Sequence, residues 1–348
     1  MGATMSGAPD DVDARIAEGA AANQDGDFEG AAAAYRQALR METDNFEAAF
    51  GLAAAFRALG DYQEAERFYE KALAMDPSPA EPYWELGYTR EMLGDNQGAM
   101  VAYEACLARN EGHGVARHLM DALMGTTTDA APDDYVAALF NDYAEDFERS
   151  MAEDLHYSVP ASMARKLAVV CAADPPGQRS ADAAQFPYGL DLGAGTGLTG
   201  AAIAAFASDL HGVDLSSEML ELAKARAVYS HTFVAGMTEF LAEPMAGAHK
   251  NYDLMISGDA LVYVGDLAPL FAGAYRRLNP GGWFLFTVEL ANAGDFILQS
   301  TGRYAHGPEF LRATAAKAGF EPGSLDPITP RRDADQDIQG LLGAFRRL

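Results

Sequence analysis

Cysteine is scarce in this chain of 348 residues: Cys106 and Cys171 are the only two. They stand far apart and match neither a metal-binding nor a redox spacing, so both are expected to be reduced and largely buried. The seven histidines show no ligand spacing either, and no metal site is expected. Long apolar runs are missing as well; none approaches the roughly 18 residues that cross a bilayer. Residues 1–13 are acidic and rich in small side chains, without the basic-then-apolar order of a secretory signal. The expected setting is cytoplasmic, with no membrane contact. Positive charge is the third shortage, because 25 Lys and Arg face 51 Asp and Glu for a net charge of −26. Residues 1–125 hold 9 basic and 22 acidic side chains and residues 126–348 hold 16 and 29, so each part carries −13. Neither part offers an electropositive face, which disfavours binding to a nucleic-acid backbone. Acidity spread this evenly reads as a solubility trait.

What is present begins with a repeat. The segments DGDFEGAAAAYRQAL, LGDYQEAERFYEKAL and LGDNQGAMVAYEACL recur at an offset of 34 residues. Gly26, Gly60 and Gly94 share a register, each with aspartate after it; so do Ala31, Ala65 and Ala99, and then Tyr35, Tyr69 and Tyr103. A Gly-Asp pair is a turn between two helices, the glycine taking a left-handed conformation and the aspartate capping the second helix. Alanine lets two helices approach, and the aromatic residue fills the gap to its neighbours. The repeats can be framed as 12–45, 46–79 and 80–113, with Gly114 to Met124 as a final solvating helix. This pattern resembles the tetratricopeptide repeat. The first frame departs from it by lacking the early aromatic, as suits a terminal repeat. The resemblance implies an all-α domain over 12–124 that binds a partner or substrate, packs on the rest of the chain, or builds a homodimer.

Residues 125–134, GTTTDAAPDD, are turn-rich and read as the linker between domains. From Tyr135 an apolar stripe at helical spacing includes Tyr143 and Phe147, either core residues or part of a lid. Pro187 to Leu192 reads as a strand that runs into Gly193-Ala194-Gly195-Thr196-Gly197, and Leu198 to Ala207 as a helix of small residues. A glycine turn between strand and helix lets a ligand approach the backbone and meet free amides. Asp214 closes the next strand, where a carboxylate can take both hydroxyls of an adenosine ribose. Gly195 to Gly200 also satisfies the G-x-G-x-x-G of nicotinamide dehydrogenases. Asp191 argues against that reading, since a carboxylate at the strand mouth repels a pyrophosphate but can hold an ammonium group.

The later segments YDLMISGDALVYV and LNPGGWFLFTVE come after DLGAGTG and GVDLS in order. Over residues 135–348 the sequence resembles the class I S-adenosylmethionine-dependent methyltransferases. That implies a Rossmann-like α/β domain with seven strands, mostly parallel, the last one antiparallel, and S-adenosylmethionine as methyl donor. Carried over by position, Asp191, Gly193, Ala194, Gly195 and Gly197 would surround the methionine part and Asp214 the ribose. Leu215 and Met219 would lie against the adenine, and Ser257 beside the transferred methyl. The family often places an acid after the third strand for the adenine amine; here Gly236-Met237-Thr238 stands there. Gly236 and Met237 are therefore expected to meet the adenine through backbone and thioether. The acceptor, a small molecule or a protein, is not named by these residues. Asp259, Tyr263 and His306 are the candidate proton acceptors, each with a plainer alternative as a turn cap, core residue or helix-preceding residue. The competing reading is a scaffold built on the repeats with a vestigial donor domain.

Overall fold

The computed structural model describes residues 11–149, 155–173, 185–243, 245–333 and 336–348. They form two compact units, one ending at Met124 and the other beginning at Gly125. No helix among the described residues is long and apolar enough to cross a membrane.

The first unit is helical throughout. The first repeat holds α1 (Val12–Gln24) and α2 (Phe28–Met41), and the second α3 (Phe46–Ala58) and α4 (Tyr62–Met75). The third holds α5 (Glu81–Met92) and α6 (Asn96–Leu107), and α7 (Gly114–Met124) comes last. Gly26, Gly60 and Gly94 take φ of 74°, 76° and 80°, a region glycine enters without strain. Asp27, Asp61 and Asp95 then accept from the amides of Gly30, Glu64 and Gly98, capping each second helix. Packing explains the small residues. A Cβ on Gly51 would lie 2.3 Å from the Tyr35 ring, and one on Gly87 would lie 2.4 Å from Tyr103.

The second unit opens with α8 (Asp133–Arg149) and α9 (Val159–Ala173). The chain continues through β1 (Phe186–Leu192), α10 (Leu198–Ile203), β2 (Ala207–Asp214), α11 (Ser217–Ala225), β3 (His231–Val234), α12 (Met237–Ala242) and β4 (Tyr252–Ser257). Then come α13 (Ala268–Arg277), β5 (Leu278–Leu290), the hairpin β6 (Phe296–Leu298) and β7 (Tyr304–His306), and α14 (Pro308–Ala318). The last strands are β8 (Ser324–Ile328), the short β9 (Arg332–Asp333) and β10 (Gln336–Asp337), and β11 (Gly340–Arg346).

The sheet runs β3-β2-β1-β4-β5-β11-β8, with β6 and β7 attached beside β5. Neighbours from β3 to β5 are parallel, and β11 is antiparallel to both β5 and β8. The seven-stranded, mostly parallel sheet with an antiparallel last strand is thus present, with a hairpin added. Strands covered on both faces read as unbroken apolar runs. In β5, Phe284 and Phe286 enter one core with Phe271 and Phe345, while Leu285 enters the other with Leu254 and Ile256, as a period of two requires.

Three boundaries differ from expectation. The helix after the glycine turn stops at Ile203, and a 3-10 turn leads into β2 at Ala207, because Ala207 already pairs with Phe186. The strand expected from Trp283 begins at Leu278 and carries Pro280-Gly281-Gly282 within it. Gly281 at φ 83° and a register slip opposite Tyr252 and Leu254 absorb these residues as an irregularity, so they do not end the strand. The expected linker is instead a strap on the second unit. The Asp129 carbonyl accepts from the amides of Gly265 and Asp266, Ala130 bridges Val264, and the Ala131 amide donates to Tyr263. Thr127 accepts from the Leu298 amide, and the Thr128 hydroxyl meets that of Tyr304. The side chains of Tyr143 and Phe147, candidates for a lid, lie outside the described residues.

Candidate functional site

The carboxyl ends of β1, β2, β3 and β4 converge on the glycine turn. Gly193, Gly195 and Gly197 all have positive φ, at 72°, 53° and 84°. A Cβ on Gly193 would strike that of Ala260 at 2.2 Å, whereas nothing lies within 4 Å of one on Gly195. The first glycine serves packing and the second leaves bare backbone facing open space. The amides are not free, contrary to expectation. Those of Gly193 and Ala194 donate to the Val213 carbonyl, Gly197 to Ala194, and Gly195 to the Asp214 carboxylate at 2.8 Å. A phosphate would find these four donors already spent, which weighs against the dinucleotide reading.

The third glycine of that pattern has another purpose. A Cβ on Gly200 would lie 2.1 Å from the hydroxyl of Tyr229, which donates to Asp191 Oδ2 at 2.7 Å. Asp191 is completely buried, and its Oδ1 has no hydrogen-bond partner among the described residues. Burial pushes its carboxyl up to about 7; the nearby Asp214 adds to this, while Tyr229 and the Gly200 amide oppose it. A buried carboxylate with one bare oxygen is a costly arrangement that a cation would relieve. Tyr229 carried no signal in the sequence, because a loop brings it back from beyond α11.

Asp214 closes β2, its Oδ1 accepting from the Ser216 amide at 2.9 Å and its Oδ2 from Gly195. Burial raises its carboxyl while these amides pull the other way. Leu215 beside it is half-exposed. Met219 is 0% exposed, as is Asp191, with its amide capped by the Ser216 hydroxyl. Gly236 is buried and Met237 half-buried, the Met237 sulfur 3.8 Å from a Cβ on Gly193. Ser257 is wholly buried and donates to the Leu192 carbonyl at 2.8 Å. Its hydroxyl ties β4 to β1 and is unavailable to a reacting group.

Beyond β4 and β5 lies a buried ionic cluster. Asp259 holds φ 60°, uncommon for a side chain other than glycine. Its amide donates to Thr287 at 2.8 Å, and Arg331 Nη1 meets both its carboxylate oxygens at 2.7 and 2.6 Å. Arg331 is 1% exposed and also pairs with Glu289. Burial disfavours the charge of Arg331, but Asp259 and Glu289 hold it above its ordinary value. Arg303 is held up in the same way by Tyr263, Asp259 and Glu289. The expected proton acceptors therefore have other engagements. Asp259 is ion-paired, and Tyr263 bonds to Arg303 with its ring edge-on to Phe140 at 5.4 Å. His306 is fully buried; its Nε2 donates to the carbonyls of Val264 and Gly265 at 2.9 and 3.1 Å. Burial lowers His306 to about 4, so it is a neutral pin for that loop. Tyr157, unremarked in the sequence, feels Asp259, Thr199, Arg331 and Asp191 together, and burial raises its phenol.

Asp209, His211 and His249 come within 4.8 Å of one another through one ligand atom each, a grouping invisible in sequence spacing. The two imidazoles stack at 4.4 Å with 5° between their planes. A metal must lie near the plane of each ring that binds it, and parallel planes share no such point. An open cleft of about 470 Å³ beside Val234, Glu239 and Met245 includes none of the glycine-turn residues.

Comparison with known proteins finds matches in both units. Residues 190–286 match the methyltransferase domain family and residues 22–87 the tetratricopeptide repeat. The ubiquinone biosynthesis O-methyltransferase of Thiobacillus denitrificans is 29% identical over 184 residues, covering 45% of this chain and 77% of that protein. Its counterpart from Bordetella avium is 29% identical over 163 residues, covering 40% of this chain and 66% of that one. Among solved structures, the 1,6-didemethyltoxoflavin-N1-methyltransferase of Burkholderia thailandensis, with S-adenosylhomocysteine bound, is 17% identical. It covers 64% of this chain and 92% of its own, with a TM-score of 0.46.

Proposed function

The chain is an S-adenosylmethionine-dependent methyltransferase with a tetratricopeptide region before its catalytic domain, and we propose that it methylates a small-molecule or protein acceptor held with the help of the repeats. Asp191 carries this reading. A buried carboxylate with one bare oxygen, beside a glycine turn whose crown is open, fits the ammonium end of the donor. Asp214 would exchange the Gly195 amide for ribose hydroxyls, and Leu215, Gly236 and Met237 would face the adenine. Gly193, Ala194, Gly195 and Gly197 would give the donor its close backbone approach. When bound, the donor supplies an activated methyl on a sulfonium, so the difficult chemistry is its own.

The chain's own residues bind, align and exclude water. Asp191 would hold the methionine end of the donor and Asp214 its ribose. Arg331 ties down the Asp259 loop by pairing with its carboxylate. Alignment of this kind can be worth about 7–11 kcal/mol in favourable cases. Both carboxylate oxygens of Asp259 are engaged by Arg331, so an oxygen acceptor would lose its proton to a group it brings itself or to solvent. The O-methyltransferase relatives make a hydroxyl-bearing acceptor the first class to screen. Tetratricopeptide repeats generally mediate protein interactions, and a partner or a second copy of the chain is the proposed occupant of the array.

Titration calorimetry with S-adenosylhomocysteine and with NADH tests the donor site. Micromolar binding of the first and none of the second is expected. Asp214→Asn should weaken it by tenfold or more, about 1.5–3 kcal/mol for a charge-assisted hydrogen bond. NADH binding without adenosylhomocysteine binding would overturn the assignment.

A further inference from the structure

The turn after β3 lacks the acid that this kind of site commonly directs at the adenine amine, and the fold brings one there from elsewhere. Asp133, the first residue of α8, places its Oδ2 3.5 Å from the Cβ position of Gly236. Leu215 Cδ2 lies 3.9 Å from the same point. The bare glycine, the apolar side chain next to Asp214 and this carboxylate oxygen therefore meet at one place. Asp133 is exposed, so this oxygen is open to an incoming ligand. Its charged neighbours are Glu239 and Asp134, both acidic, and partial burial together with these two raises its carboxyl. A donor group arriving there would replace water.

The position is fixed by backbone bonds. The strap through Asp129 and Ala131 is paired to Tyr263, Gly265 and Asp266, and the Val136 amide closes the first turn of α8 on Pro132. Further along, α8 packs against α11, the helix after Asp214.

We propose that Asp133 accepts a hydrogen bond from the exocyclic amine of the donor's adenine, replacing in space the acid absent after β3 and setting the preference for adenine over its deaminated counterpart. The proposal rests on the donor-site reading above. An amine donates to a carboxylate; the inosine base presents a carbonyl at that position and would face it oxygen to oxygen. Discrimination is large compared with that from shape alone where the wrong ligand covers a polar group and leaves it unpaired.

The test is calorimetry on the full chain with S-adenosylhomocysteine and S-inosylhomocysteine. Wild type should bind the adenosyl ligand at least thirtyfold more tightly (about 2 kcal/mol at 1.4 kcal/mol per tenfold). Asp133→Ala should weaken the adenosyl ligand about tenfold and tighten the inosyl ligand, by relieving the oxygen-to-oxygen contact. Asp133→Asn keeps the shape and can donate from its amide, so it should narrow the preference by tightening the inosyl ligand. Thermal melting of each variant reports folding separately. Equal weakening of both ligands in the two variants, or no change in either, overturns the role of Asp133 alone. Wild type that binds neither ligand overturns the donor site itself.

Discussion

At the scale of single residues, the site is set by carboxylates in unlike surroundings. Asp191 at about 7 in the free protein must be charged to hold an ammonium group. Affinity for S-adenosylhomocysteine should therefore rise between pH 6 and pH 8 and fall about tenfold per unit below the Asp191 value. In Asp191→Asn that slope should vanish and the affinity should be low throughout. The same shift has a stability consequence of opposite sense. Because the folded carboxyl is raised above its unfolded value, the folded state holds the extra proton between about pH 4 and pH 7. The Asp191 contribution to the unfolding free energy should fall as pH climbs through that window, by a few kcal/mol at most, while the buried neutral His211 and His306 act in the opposite sense in wild type and variant alike. The stability difference between wild type and Asp191→Asn should therefore shrink from pH 4 to pH 7, and a difference that stays constant across the window would contradict the raised carboxyl. The glycines give a second contrast. Gly193→Ala forces a Cβ into Ala260 and should lower the melting temperature, whereas Gly195→Ala enters open space. The second variant costs only the about 1–2 kcal/mol of left-handed strain, so it should fold and yet lose donor affinity.

At the scale of elements, the buried cluster ties together the ends of β4 and β5 and the segment after β8. Arg331→Met would leave Asp259 and Glu289 buried without their partner, and breaking such a pair costs about 3–5 kcal/mol. Adding Asp259→Asn and Glu289→Gln should recover much of that loss in denaturant melts; no recovery would mean that packing and not charge is what Arg331 supplies. These elements also mark where sequence reasoning stops. The repeats are legible because turn, cap and small residue recur at one spacing, each fixed by local sterics. The glycine turn, Asp191 and Asp214 are legible because strand, turn and helix are consecutive. Arg331, Tyr229, Tyr157 and Asp133 are not, since each reaches the site from another element and no local pattern encodes the meeting. The strap misleads for a related reason. Thr127 to Ala131 has the composition of a linker, but its backbone bonds are made to residues over a hundred positions away, and composition does not record a partner. Ser257 spends its hydroxyl on the Leu192 carbonyl, a bond across strands that no local pattern encodes.

At the scale of the whole molecule, the net charge of −26 is shared, with −13 on each side of residue 125. Each unit therefore bears the self-repulsion of its own excess acidity when folded. Surface ion pairs such as Arg67 with Glu64 and Arg90 with Glu66 offset only a little of this. The buried pairs of Arg331 are screened far less by salt than these. Salt should therefore relieve more repulsion than it removes attraction. The melting temperature should rise as potassium chloride goes from about 0.01 M to about 0.5 M, the interval over which the screening length falls from about 30 Å to a few ångströms. Most of the gain should come early, where that length first drops below the size of the molecule. A midpoint that falls with added salt would mean that exposed pairs contribute more to stability than excess acidity costs.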